Sequence, residues 1–278
     1  MADASPVDVF EVMKPLREPL IQAAIEWLGF PRGSRGLDDG CGIGLEGISL
    51  MQAVAPSGKV IGVDFSLPSL FVAKGKSGQH PQAGNIDFTA GDWSVLPFAD
   101  ACLDWAWSCD GVGYAPYYQD RAVKEIARVV RPGGVVAILF WSSQALLPGY
   151  PGLEARLNAT RAGMAPFGEE MPPEAHANRG LSWLRAVGLE RLRAKTFIHS
   201  VYAPIDANIR AALIALLEMR WGGCESELAE SDRAAYQRIC RLDSADFILD
   251  CPDYYAFFAY TVFCGWKTLS REIELITD

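Results

Sequence analysis

A glycine-rich turn that carries three carboxylates constrains this chain most, in the segment LDDGCGIGLEG at residues 37–47. Alternate glycines let the backbone turn sharply and allow a bound ligand to touch the main chain. A dinucleotide would place its pyrophosphate at the start of the following helix, where Asp38, Asp39 and Glu46 would repel it. The charge of the turn therefore favours a cationic nucleotide-like ligand.

Short apolar runs alternate with helical patterns along most of the chain. The runs predict seven strands, at about 34–38, 59–64, 86–90, 103–108, 135–140, 191–201 and 254–266. Helical spacing predicts helices at about 44–54, 69–76, 120–130, 181–187, 206–221 and 231–241. Such alternation is typical of parallel sheets whose connections are helices. The predicted fold class is α/β, a Rossmann-like, doubly wound, mostly parallel seven-stranded sheet with helical lid insertions.

Composition excludes several functional classes. The formal net charge of −9 disfavours a nucleic-acid partner, because binding phosphates requires clustered Lys and Arg. The longest apolar stretches fall far short of the roughly 20 residues that span a bilayer, so no membrane insertion is expected. The first residues lack a basic-then-apolar signal, which predicts a cytoplasmic protein whose partner is a small molecule.

Cysteine and histidine positions indicate no metal centre. The seven cysteines include no Cys-x-x-Cys pair, a pattern typical of reduced thiols. His80, His176 and His199 lie too far apart in sequence to suggest a zinc site. We therefore expect no metal, while the oligomeric state stays open.

Several signals lie at strand ends, and together they are more specific than the glycines alone. The GxGxxG spacing of Gly42, Gly44 and Gly47 is by itself a weak match to a dinucleotide fingerprint. Arg131-Pro132-Gly133-Gly134 predicts a tight turn into the fifth strand, with no chemical role. The accompanying signals are Asp38 before Gly40, Asp64 at the end of the second strand, and Gly91-Asp92-Trp93 after the third.

With these motifs, residues 29–141 resemble the class I S-adenosylmethionine (SAM)-dependent methyltransferases, in particular the small-molecule group that includes quinone-biosynthesis enzymes. The resemblance implies that Asp38 holds the methionine part of SAM, Asp64 the ribose hydroxyls and Asp92 the adenine amino group. Asp39 departs from the family pattern, because an apolar residue is usual there. The cofactor-binding residues implied are Asp38, Gly40, Cys41, Gly42, Gly44, Asp64, Phe65, Gly91, Asp92, Trp93, Ser108 and Cys109.

At this length the chain is expected to form a single domain, 1–278. Its predicted core comprises about 30–141, 181–202 and 253–268. An N-terminal helix at 7–29 and two insertions, 142–180 and 203–252, are predicted to form a lid over the site of the methyl acceptor. Five prolines in the first insertion favour an irregular segment.

Methyl transfer depends mainly on alignment of the two reactants. The resemblance implies transfer from SAM to a small, apolar or aromatic organic acceptor, with O- or C-methylation favoured. An oxygen or carbon acceptor can require a general base, for which His176, Asp110 and Tyr118 are the candidates. His199 lies in an apolar run and is expected to be structural.

Two other functions remain open from the sequence. One is an NAD-dependent oxidoreductase that uses the same glycines, although an acid just before the first glycine is unusual for it. The other is a catalytically silent SAM-fold protein that binds a partner, against which the intact acids Asp38, Asp64 and Asp92 argue. Each acid taken singly also fits a plain strand-end or helix-capping role.

Overall fold

A computed structural model describes residues 6–112, 119–168 and 171–269. Its seven-stranded sheet has the order β3-β2-β1-β4-β5-β7-β6. The sheet confirms the predicted α/β class, doubly wound and mostly parallel. The strands are β1 Arg35–Asp39, β2 Lys59–Asp64, β3 Ile86–Ala90, β4 Leu103–Cys109, β5 Val130–Ala145, β6 Leu189–Tyr202 and β7 Tyr255–Lys267.

Ten α-helices lie in the described residues. None of them combines the length and apolarity that crossing a membrane would require. The helices are α1 Pro6–Val12, α2 Lys14–Leu28, α3 Gly47–Val54, α4 Leu67–Ser77, α5 Gln119–Val129, α6 Pro151–Asn158, α7 Arg161–Met164, α8 Gly180–Ala186, α9 Ala207–Trp221 and α10 Glu230–Cys240.

Strand order reverses between β1 and β4, and this point positions the candidate site. β1 pairs in parallel with both β2 and β4, β2 with β3, and β4 with β5. The connection from β1 leaves towards one side of the sheet and the connection from β4 towards the other, so a crevice opens beyond their carboxyl ends. Ligands of open α/β sheets bind in such a crevice.

A tryptophan holds β1 beside β4. The Trp105 ring lies against the backbone of Gly36 on β1. A Cβ at position 36 would come within 2.0 Å of this ring, so only glycine permits the contact. Phe30 stacks on this ring at 4.2 Å between centroids, and the Trp105 indole N–H donates to Ser34 Oγ at 2.9 Å. This buried packing fixes the two strands on either side of the crevice.

The chain divides into two compact units. The core unit comprises Gly29–Phe140, Ala177–Lys195 and the residues from Val262 onward. The insertion unit comprises the residues up to Leu28, Trp141–His176 and Thr196–Thr261. The predicted single domain and its lid stay predictions.

Two local predictions need correction. The first insertion is not wholly irregular, because β5 continues to Ala145 and α6 and α7 follow it. Proline is compatible with the first turn of a helix, and Pro151 occupies that position in α6. Arg131-Pro132-Gly133-Gly134 does not precede β5 but lies inside it, where the pairing with β4 shifts register between Leu103 and Trp105. Gly133 follows Pro132 with φ 81°, a combination compatible with the predicted tight turn within this irregularity.

Candidate functional site

The glycine turn after β1 is tied to the end of β2. The backbone N–H groups of Gly40 and Cys41 both donate to the Val63 carbonyl, at 2.9 and 3.0 Å. Gly40, Gly42 and Gly44 all have positive φ, at 79°, 51° and 73°. Side chains are disfavoured in this conformation, so the sequence supplies glycine at each turning point.

Two of these glycines serve different purposes. A Cβ at Gly44 would come within 3.0 Å of Ala73 and 3.1 Å of Phe88, so Gly44 permits close packing within the core unit. A Cβ at Gly42 would meet no atom within 4 Å. The backbone at Gly42 therefore borders open space that a ligand can occupy.

Asp64 joins the turns that follow β1 and β2. Its Oδ2 accepts the Gly42 N–H at 2.8 Å, and its Oδ1 accepts the Ser66 N–H at 2.8 Å. A carboxylate has about four acceptor positions, so these two bonds leave room for further donors such as ribose hydroxyls. The carboxylate is half-buried, which keeps it in place at the tip of β2.

Two consecutive acids at the end of β1 are buried without full hydrogen bonding. Asp38 is 2% exposed and Asp39 1% exposed. Asp38 Oδ2 and both carboxylate oxygens of Asp39 have no partner among the described residues. Buried polar atoms usually have partners, and functional sites are a common exception.

The electrostatic environment of these acids is uniformly negative. Burial, followed by repulsion from Glu46, Asp39 and Asp64, raises the pKa of Asp38 well above its ordinary value. Burial, followed by repulsion from Asp64 and Asp92, raises the pKa of Asp39 to about 7. Burial and the neighbouring acids also raise the pKa of the Cys41 thiol, so it stays neutral. A cation is the ligand that this field attracts.

The end of β3 supplies an exposed acid, Asp92, and Trp93, whose ring contacts Phe65 at the end of β2. Asp92 Oδ1 accepts the Ser94 N–H at 2.7 Å, and this bond lowers the pKa of Asp92. The rings of Phe65 and Trp93 meet edge to face at 5.5 Å, while Phe65 is 68% exposed. Gly91 donates to the Asp64 carbonyl at 3.1 Å, which brings the ends of β2 and β3 together.

The end of β4 packs against the glycine turn. Ser108 is buried, and its Oγ accepts the Val112 N–H at 3.1 Å. A Cβ at Gly111 would come within 2.7 Å of Ser108 Oγ and 3.0 Å of the Asp39 carbonyl oxygen. Cys109 is also buried. The loop after β4 and the turn after β1 are thus neighbours.

Two of the general-base candidates belong to different units. Asp110 belongs to the core unit and has φ 51°, a strained conformation for a residue other than glycine. His176 belongs to the insertion unit, where its exposed ring lies 4.8 Å from that of Phe167. Tyr118 lies outside the described residues. The roles of all three candidates stay predictions.

His199 lies on β6 within the insertion unit, and its expected structural role stays a prediction. Its ring is 5.4 Å from the Phe258 ring, and burial lowers the pKa of His199.

Sequence reasoning missed two features of the crevice. Gly111 supports the close approach of the two loops, yet a single glycine in a loop gives no specific signal. Trp107 is fully buried opposite Asp38 in the pairing of β1 with β4, and its indole N–H has no partner among the described residues. Only the strand register places Trp107 beside that acid.

Comparisons with known proteins agree with the resemblance. Residues 37–134 match the family model described as "Methyltransferase domain". A demethylmenaquinone methyltransferase of Staphylococcus aureus is 39% identical over 121 residues, 44% of this chain and 48% of the relative. The matched part thus spans about half the length of this curated relative.

Solved structures share the fold at low identity. Phosphoethanolamine N-methyltransferase 2 of Haemonchus contortus, solved with SAM, has a TM-score of 0.54 and 15% identity, covering 94% of this chain and 56% of that one. The cyclase SpnF has a TM-score of 0.52 and 19% identity, with coverages of 89% and 82%. These similarities show the fold alone. One of the two proteins is named a methyltransferase and the other a cyclase.

Proposed function

Since residues 37–134 form a methyltransferase domain of the class I SAM-dependent type, we propose that this chain transfers the methyl group of SAM to a small organic acceptor. The observation that carries the proposal is an oxygen of buried Asp38 that has no partner among the described residues, beside a glycine turn that borders open space. A buried carboxylate oxygen in a negative field suits the cationic end of SAM better than a pyrophosphate.

The described residues fit such a cofactor. Asp38 would hold the methionine ammonium, Asp64 the ribose hydroxyls and Asp92 the adenine amino group, with Phe65 and Trp93 beside the adenine ring. The backbone from Gly40 to Gly44 would lie along the ligand, and carbonyls near Ser108 and Cys109 would contribute to the ammonium site.

When bound, SAM supplies an electrophilic methyl group on a positively charged sulfur. The chain has to bind the cofactor, orient the acceptor and exclude water, and alignment of this kind can lower a barrier by roughly 7 to 11 kcal/mol. An acceptor that must lose a proton needs a base within hydrogen-bonding reach. We propose Asp110, His176 and Tyr118 as candidates for that role.

We further propose an apolar or aromatic acceptor that is methylated on oxygen or carbon. The support is the similarity to a demethylmenaquinone methyltransferase, whose name denotes a quinone-type acceptor, over 44% of this chain.

The direct test is calorimetric titration of the full chain with SAM and, separately, with NADH. We expect saturable binding of SAM, and we expect Asp64→Ala to weaken it at least about tenfold, because hydrogen bonds to a charged group contribute about 1.5–3 kcal/mol each. Asp87→Ala is the matched control, since Asp87 is an exposed acid on the neighbouring strand β3. Binding of NADH without SAM would contradict the proposal, as would full SAM affinity in the Asp64 variant.

Turnover requires its own test, because a fold neighbour is named a cyclase. Incubation with SAM and a panel of phenols, hydroquinones, carboxylates and amines should form S-adenosylhomocysteine only with acceptors that gain a methyl group. Formation with an amine alone would contradict the O- or C-methylation proposed here.

A further inference from the structure

Asp39 makes no described contact that accounts for an acid at its position. Its side chain is 1% exposed, and neither carboxylate oxygen has a hydrogen-bond partner among the described residues. Such a group destabilises the fold compared with an apolar residue of similar size.

The backbone donors nearest to Asp39 are already engaged. The Gly40 and Cys41 N–H groups donate to the Val63 carbonyl, and the Gly42 N–H donates to Asp64 Oδ2. The turn that follows Asp39 therefore offers this carboxylate no hydrogen bond, unlike the anion-binding turns of phosphate sites. Its missing partner has to come from elsewhere.

The charged groups that act on Asp39 are all acids at the mouth of the crevice. Asp64 and Asp92, at the ends of β2 and β3, raise its pKa in addition to the effect of burial. Asp38 precedes it on β1, and Glu46 acts on Asp38 in turn. Cys41 is a further titratable neighbour among the described residues, and it is neutral because burial raises its pKa. A bound proton or a bound cation would neutralise this buried carboxylate.

We propose that Asp39 is an additional cofactor-recognition residue, which carries a proton in the free protein and releases it to solvent when SAM binds. Only the O–H bond of the Asp39 carboxyl group breaks in this step. The positive charge of the bound ligand then compensates the negative charge of the carboxylate. The inference rests on the proposed SAM site. It adds to that site the release of a proton from Asp39 when the cofactor binds. It predicts that SAM binding is linked to proton release and becomes tighter as pH rises towards about 8.

The test is calorimetry of the full chain with SAM at pH 6, 7 and 8, each in two buffers of different ionisation enthalpy. The dependence of the observed enthalpy on the buffer gives the number of protons released. For the wild-type chain we expect release at pH 6 that declines by pH 8, with affinity rising by up to about tenfold per pH unit below neutrality. Asp39→Asn should release fewer protons and show a flatter dependence of affinity on pH.

Matched variants distinguish proton release by Asp39 from two other effects, the removal of any one carboxylate and the loss of folding. Asp87→Asn removes one exposed carboxylate from the same unit and should behave as the wild type. Asp39→Val tests the same position with an apolar residue suited to burial, should the amide disturb folding. S-adenosylhomocysteine, whose sulfur is neutral, should release fewer protons than SAM.

The outcomes distinguish this inference from the proposed function. If SAM binds with no proton release, or with equal release in the wild type and both Asp39 variants, the role of Asp39 is refuted while SAM binding stands. If SAM gives no binding to the wild type at any pH, the proposed function fails as well.

Discussion

Two buried carboxylates in different units of the molecule have opposite surroundings. Glu154, in the insertion unit, is 7% exposed, and its oxygens accept the Leu146 and Leu147 N–H groups at 2.8 and 3.1 Å. Asp39, in the core unit, is buried to a similar degree, and its carboxylate oxygens have no partner among the described residues. Glu154 therefore satisfies two backbone donors of its own unit, whereas Asp39 satisfies no donor that the structure describes. The two acids are alike in burial and differ in the hydrogen bonding of their oxygens.

The largest expected effect is the loss of stability on replacing Glu154. In Glu154→Ala two buried N–H groups lose their acceptor, and each unsatisfied group costs about 1–3 kcal/mol. We expect the free energy of unfolding to fall by about 2–5 kcal/mol in urea denaturation. Glu230→Ala, at an exposed position of α10, is the control and should change stability little. Wild-type stability in Glu154→Ala would remove the contrast drawn here.

A smaller effect, opposite in sign, is expected at Asp39. Asp39→Val removes a buried polar group that has no partner among the described residues, so the unliganded protein should gain about 1–3 kcal/mol in its free energy of unfolding. The same variant should bind SAM more weakly than the wild type. A loss of stability in urea denaturation would mean that Asp39 has a structural partner, which would make it resemble Glu154.

The third expected effect concerns the pH dependence of stability at the same residue. Because the pKa of Asp39 is about 7 in the folded chain and about 4 in an unfolded one, the folded state keeps a proton that the unfolded state has lost between these values. The stability due to this group is therefore complete below about pH 4 and is lost as pH rises to about 7. Scanning calorimetry of the ligand-free protein should show Tm falling between pH 5 and 8, and the fall should be shallower in Asp39→Val. An identical slope in the variant would assign the effect to other groups.

Much of the crevice was predictable from sequence because short-range patterns determine it. Apolar runs predicted β2 and β3 with their ends at Asp64 and Ala90. The spacing of the glycines predicted the turn after β1. Helical connections between consecutive strands make these strands parallel, which places their carboxyl ends along one edge of the sheet.

What the sequence could not predict depends on register and on distant partners. The pairing of β1 with β2 brings Val63 beside the turn, and the Val63 carbonyl takes the N–H groups of Gly40 and Cys41, two backbone donors that follow Asp39 directly. The register shift near Gly133 likewise depends on how β5 pairs with β4. The helix α6 was missed because prolines were counted as breakers, although Pro151 stands where a helix tolerates one.

The account rests on strand-end acids that bind a positively charged methyl donor. The most direct measurement is a crystal structure of the full chain grown with SAM at saturating concentration. The account predicts SAM beyond the ends of β1, β2 and β4, with its ammonium near Asp38 and its ribose hydroxyls on Asp64. SAM bound elsewhere, or an empty crevice beside Asp38 and Asp64 under those conditions, would contradict it.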